Sequence, residues 1–228
     1  MKLLTAVFSW LLALVLSSLQ TSAQPSDRFD MLVRADFFAG FAGDATRLAR
    51  GMDVCERVLR HNPRHAEAMV WHGSGLIFEA GSAFASRDEA RGAELWAKGL
   101  REVDEAVALA PDNPGVLIPR GAVLLQATRN MPPAVARPLL ESAVANYERV
   151  LNVQKEIFQS LGDHPRGELL FGIADGYARL GDSAAARRYF EKLVADVPGS
   201  GQAPRARTYL DTGNVPAITG LACVGCHR

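Results

Sequence analysis

Neither sign of charge dominates this 228-residue chain: 25 Lys and Arg stand against 25 Asp and Glu. Lys2 is the single charged residue among the first 23, so the remainder carries a net charge of −1. That balance excludes the basic footprint of a nucleic-acid-binding domain. Three cysteines are too few to staple a chain of this size into a disulfide scaffold. With 20 Gly and 12 Pro, it is not a low-complexity chain either. From Phe29 to about Leu210 there is no alternation of apolar and polar residues, and no Asn-Gly or Asp-Gly hairpin signal between β-branched runs. The absence of both excludes a sheet-based fold.

A long apolar stretch occurs once, at the start. Met1 to Leu19 carries one positive charge and an apolar segment whose longest unbroken run is Trp10 to Leu16, followed by Gln20-Thr21-Ser22-Ala23-Gln24. Thr5, Ser9, Ser17 and Ser18 break it, and it falls short of the roughly 20 apolar residues a spanning helix needs. The pattern predicts a secretory signal peptide over residues 1–23, cleaved after Ala23. The mature protein is therefore expected outside the cytoplasm, in the periplasm or extracellular medium, without a membrane span. No cysteine stands near the cleavage site to take a lipid.

Residues 29–210 repeat Ala, Leu, Arg and Glu at helical spacing, which predicts an all-α body. The clearest unit runs from Gly167 to Pro198, with Leu170, Ile173, Ala174, Tyr177, Ala186, Phe190 and Leu193 at fixed offsets and a turn at Gly181-Asp182. Small Ala174 and Ala186 let two antiparallel helices approach closely, Tyr177 and Phe190 fill the space between them, and Pro198 ends the second helix. This unit resembles the 34-residue tetratricopeptide repeat. Looser copies place Ala35, Phe38, Ala39 and Ala42 before Gly51, Cys55 and Val58, and Met69, His72, Gly73 and Leu76 before Gly99, Val103 and Ala106. Pro63 and Pro111 lie 48 residues apart, 14 more than the repeat allows, and the insertion is expected around Gly81 to Arg91. A fourth pair begins at Leu117, Gly121 and Leu124 and breaks at Asn130-Met131-Pro132-Pro133. It continues as a long helix through Ala143, Tyr147 and Val150 toward Leu161, stopped by Gly162 to Pro165.

The resemblance covers roughly residues 32–198 and implies an α-solenoid of about four helix pairs. Gln202 to Leu210 is expected as a capping helix with Arg205 and Arg207 facing water. The family's usual role, binding of a protein or peptide in the concave groove, makes a partner protein an expectation here. Charges are mixed along every helix, as from Arg87 to Asp104, so no groove of one sign is expected. Cys55 stands at an interior repeat position and is expected to be buried packing.

Residues 211–228 read as an extended tether followed by Cys223-Val224-Gly225-Cys226-His227-Arg228. Cys-x-x-Cys-His is the pattern of c-type haem attachment. Two thiols two residues apart reach the two vinyl groups of one porphyrin, and the adjacent imidazole serves as the proximal iron ligand. For three Cys and five His in 228 residues, chance yields on the order of one such match in a thousand chains. A thioredoxin-like dithiol would need a βαβ setting. A structural zinc site would need a fourth ligand, which buried Cys55 does not offer. The motif thus implies one covalent haem c held by Cys223 and Cys226, with His227 as axial ligand. It also resembles the attachment sequence of small cytochromes c, but the methionine ligand that follows it in that fold is missing here. The opposite axial position is then open to Met131, Met52, Met69, His61, His65, His72 or His164. Met131, in a loop at the edge where a capping helix would deliver the tail, is the first candidate, with a five-coordinate iron or a ligand from a neighbouring molecule, such as a second copy in a homo-oligomer, as equal alternatives.

No acid/base pair or nucleophilic constellation stands out, so no enzymatic turnover is expected. The sequence points to an exported monohaem c-type cytochrome that transfers electrons. The alternative is a non-redox interaction scaffold whose terminal cysteines form a disulfide or bind a metal.

Overall fold

The computed structural model describes residues 28–215. The expected signal peptide over 1–23 and the motif residues Cys223, Cys226 and His227 lie outside them. Among the described residues the chain forms nine α-helices and no strand: α1 (Phe29–Phe41), α2 (Ala45–His61), α3 (Ala66–Ala85), α4 (Glu89–Leu109), α5 (Pro114–Ala127), α6 (Pro133–Val153), α7 (Asp163–Leu180), α8 (Ser183–Asp196) and α9 (Ala203–Thr212). The expectation of an all-α body holds.

Three of the interhelical turns are built alike. Gly43, Arg87 and Gly181 adopt positive φ, and each is followed by an aspartate. Asp44, Asp88 and Asp182 then cap α2, α4 and α8 by accepting the backbone N–H of Arg47, Arg91 and Ala185. A left-handed residue ends one helix without Cβ conflict when it is glycine, and the aspartate satisfies a free N–H of the next. The turn between α5 and α6 is different. There a short 3₁₀ segment (Thr128–Asn130) leads into Met131 in extended conformation, then Pro132 and Pro133.

Consecutive helices pack as antiparallel hairpins. In α3 and α4, a Cβ at Gly73 would meet Val103, one at Gly99 would meet Ile77, and one at Gly92 would meet Phe84, so position rises along one helix as it falls along the other. The hairpins stack in chain order, α1 on α3, α3 on α5 and α5 on α7, with α9 closing the series on α8. Over their middle turns α3, α5 and α7 are buried on every side: Ala68 to Ile77 in α3, Gly121 to Leu125 in α5, and Leu169 to Gly176 in α7 are all buried. The even-numbered helices bury one face, as in α8 with Ala186, Phe190 and Leu193, and form the outer layer.

Three expectations need correction. The buried face of α1 is Val33, Phe37, Gly40 and Phe41, while Ala35 and Ala42 are exposed. Gly40 is the residue that lets the backbone of α2 approach, at Leu48. The segment from Gly81 to Arg91 ends α3 and opens α4, and α3 with 20 residues is longer than α1 with 13 and α5 with 14 on either side of it. Finally, α6 stops at Val153 rather than running toward Leu161, because Phe158 turns back into the core at 4% exposure. Pro165, expected as part of a helix stop, instead lies in the first turn of α7, where its missing N–H costs no hydrogen bond.

Candidate functional site

The end of α3 and the turn from α5 into α6 converge on one cavity. Aligning Gly73 of α3 with Gly121 of α5 puts Ala127, the last residue of α5, level with Glu79, so α3 runs six residues further. Six α-helical residues rise about 9 Å, and the 3₁₀ turn Thr128–Asn130 that continues α5 takes up about 6 Å of that, so α3 stands about 3 Å proud. Beneath it lies a half-open cleft of about 520 Å³, walled by Phe41, Phe78, Phe84, Trp96, Val123 and Met131. The lining is mostly apolar, and its volume falls within the roughly 300–1,000 Å³ typical of small-molecule and cofactor sites. Phe41 and Phe78 pack with ring centroids 4.9 Å apart. Phe84 is 37% exposed although nothing polar requires it at the surface. Its exposure marks the overhang as an unfilled face.

Met131 is half-buried at the floor of this cleft. Its conformation is fixed from both sides. The residue before a proline is kept out of the helical region, and the Met131 N–H donates to the Thr128 carbonyl at 3.3 Å. Thr128 in turn donates from its hydroxyl to the Leu124 and Leu125 carbonyls. Arg179 reaches over from α7 to donate to the Leu125 carbonyl at 2.7 Å and the Thr128 hydroxyl at 2.8 Å. Arg129 pairs at 3.2 Å with Asp175, a carboxylate only 2% exposed. The thioether is thus carried on a braced turn.

The other residues considered as axial ligands are placed less favourably. Met52 and Met69 are core residues at 7% and 6% exposure. His72 is buried, with Nδ1 2.5 Å from Glu102 Oε2 and Nε2 3.6 Å from Glu56 Oε1. His61 is hydrogen-bonded through Nδ1 to the Arg57 carbonyl, and His65 caps α3 by accepting from the Ala68 N–H. His61, His65 and His164 all lie at the end of the helices opposite Met131. Among the described residues no three His, Cys, Asp or Glu side chains gather to hold a metal ion.

The tail departs from the end that carries Met131. α9 lies along α7 in the same direction, with the Arg205 guanidinium 4.2 Å over the Phe171 ring and Phe190 packed on Tyr209. Arg187, near the start of α8, donates to the Leu210 carbonyl at 3.1 Å. Thr212 therefore stands at the same end as Leu180 and Ala127. Arg205, expected in water, lies half-buried against Phe171; its stem and charge cover an aromatic face that would otherwise be exposed. Arg207 is exposed as expected.

Elsewhere the titratable groups serve packing. Cys55 is fully buried, and burial pushes its thiol far above the usual range, so it is inert packing as expected. Tyr177 and Tyr189 stack at 5.9 Å and both donate to Glu148 Oε1, at 2.7 and 3.0 Å. Burial first, and the neighbouring carboxylate second, push both phenols up to about 12. Tyr177 thus meets α8 through Tyr189 and α6 through Glu148, while Phe190 packs on Phe171 in the same α7–α8 seam. Burial also raises Glu168, against which the Gln202 amide donates at 2.8 Å.

Phe78, Phe84 and Trp96 were not singled out by the sequence. Their signal is that three large rings cluster within 19 residues around the α3–α4 turn. No helix among the described residues is long and apolar enough to cross a membrane. The sequence matches no model of a known protein family and none of the curated proteins.

Proposed function

We propose that the chain is an exported, monohaem c-type cytochrome in which a tetratricopeptide-like solenoid carries haem on its C-terminal tail, passing single electrons between redox proteins outside the cytoplasm. The observation that carries this reading is Cys223-Val224-Gly225-Cys226-His227. The export pattern at residues 1–23 supports it independently. A bound haem c supplies reversible one-electron exchange at iron. The chain's own residues would hold and tune it: Cys223 and Cys226 would tether the porphyrin through thioethers, and His227 would supply an imidazole ligand. The apolar, aromatic-walled cleft and its thioether suit an iron porphyrin, which needs a dry flank and a soft axial donor. The solenoid reading rests on stacked hairpins whose turns repeat a left-handed residue followed by a capping aspartate. The mixed charges of the surface and the apolar lining of the cleft favour electron carriage over turnover.

Expression with the haem-attachment machinery tests this reading. Denatured protein is expected to keep one haem by mass and to stain for haem on a gel, and replacing Cys223 and Cys226 by Ser is expected to abolish both. Colourless protein with a terminal disulfide or a bound metal would instead favour a non-redox scaffold for partner proteins.

A further inference from the structure

We infer that the cleft under the α3–α4 overhang seats the haem borne on this chain's own tail, with the Met131 thioether as the axial ligand opposite His227. The inference rests on haem attachment at Cys223 and Cys226 and adds where the cofactor docks and what completes its coordination.

Three independent observations meet there. The first is position. The tail leaves α9 at the end of the molecule where Met131 lies, while His61, His65 and His164 lie at the other end and Met52, Met69 and His72 are enclosed in the core. Among the described residues Met131 is the one accessible sulfur or imidazole donor at the tail's end. The second is reach. Val215, the last described residue, is half-buried against the core. Packed helix axes lie about 8–10 Å apart, so the way from α9 across α7 to the end of α5 spans at least about 16–20 Å. The eight residue steps from Val215 to Cys223 extend to at most about 26–29 Å. The third is shape. The overhang supplies Phe78, Phe84 and Trp96 as aromatic walls around the thioether, and the cleft is open on one side, which leaves the charged propionates in water.

The length of α3 and the turn into α6 then have one explanation. The longer α3 raises a wall, and replacing the left-handed residue and capping aspartate of the other hairpins by Met131-Pro132-Pro133 puts a fixed thioether at its foot. A solenoid that only bound peptides would need neither.

The experiment uses full-length, haem-loaded protein in its oxidised and reduced states. The expected result is a thioether-to-iron charge-transfer band in the oxidised absorption spectrum, unchanged over a hundredfold dilution. Met131→Leu, which keeps volume and packing, is expected to lose the band and lower the midpoint potential while the covalent haem mass stays the same. Deleting residues 216–219 shortens the reach to about 13–14 Å and is expected to lose the band as well. Met52→Leu is expected to keep it. Far-ultraviolet circular dichroism checks that each variant is folded. Haem-loaded protein whose band survives in Met131→Leu, lacks the band from the start, or shows it only at high concentration overturns the inference and leaves haem attachment standing; the last outcome would assign the ligand to a second copy. Protein without covalent haem overturns the attachment reading and this inference together.

Discussion

Asp36 on α1 shows how a single carboxylate ties two helices together. It accepts from Arg50 at 2.8 Å and from Arg47, both on α2, and is itself only 8% exposed. The hydrogen bond from Arg50, reinforced by Arg47, outweighs the cost of burial and brings the carboxyl from 3.8 to about 2. A depressed folded value means stability that is present above the unfolded value and lost as pH falls through the folded one. Asp36→Asn is therefore expected to lower the thermal midpoint at neutral pH, with the difference from the parent shrinking between about pH 4 and pH 2. A difference that persists at pH 2 would assign the effect to packing. Sequence reading reached Cys55 correctly at this scale, because a small apolar side chain at an interior repeat position has one place to go. It misjudged Arg205 and the face of α1. Whether a guanidinium rests in water or on Phe171 depends on a ring 34 residues away, which no local pattern reports.

At the scale of elements, the α3–α4 hairpin is set by backbone contact. Cβ atoms built at Gly73 and Gly99 would lie 2.9 Å and 2.8 Å from each other's carbonyl oxygens, so neither helix has a side chain between it and its partner. Backbone does not yield as a side-chain end does. Gly99→Ala is expected to destabilise by about 1–3 kcal/mol through overpacking. Gly81, in the same α3 but with nothing within 4 Å of its Cβ, gives the opposite sign. There alanine is expected to stabilise by about 0.5–1 kcal/mol through helix propensity alone. Chemical denaturation of the two variants checks both signs, and equal effects would show that the hairpin is not held by close approach. The helices themselves were legible because helical spacing and caps are local. The end of α6 was not, since Phe158 leaves helical register to fill a distant core position.

For the whole molecule, stability should follow the order of stacking. Each hairpin contacts its neighbours in the series, so the middle layers are supported on two sides and the outer ones on one. Native-state hydrogen exchange is expected to show the strongest protection in the middle turns of α3, α5 and α7 and the weakest in α1 and α9. Uniform protection along the chain would mean that the helical stack opens as a single unit. The same stacking decides where cavities can form. With α3, α5 and α7 buried on every side over their middle turns, space is left where helix lengths fail to match, and α3 overhanging α5 is such a place.

By itself the sequence determined the helical class, the turn at Gly181-Asp182, the break at Met131, and the terminal spacing of Cys223, Cys226 and His227. Each of these is written in residues close together in the chain, where periodicity, capping and thiol spacing act. Only the tertiary structure decided that the segment from Gly81 to Arg91 ends α3 and opens α4. It also decided that Phe41, Phe84, Trp96 and Met131 meet in one cleft, at the end of the molecule from which the tail departs. These residues are spread over 91 positions of the sequence. Their meeting is fixed by the offset between helices of unequal length, which is a property of packing and not of any segment.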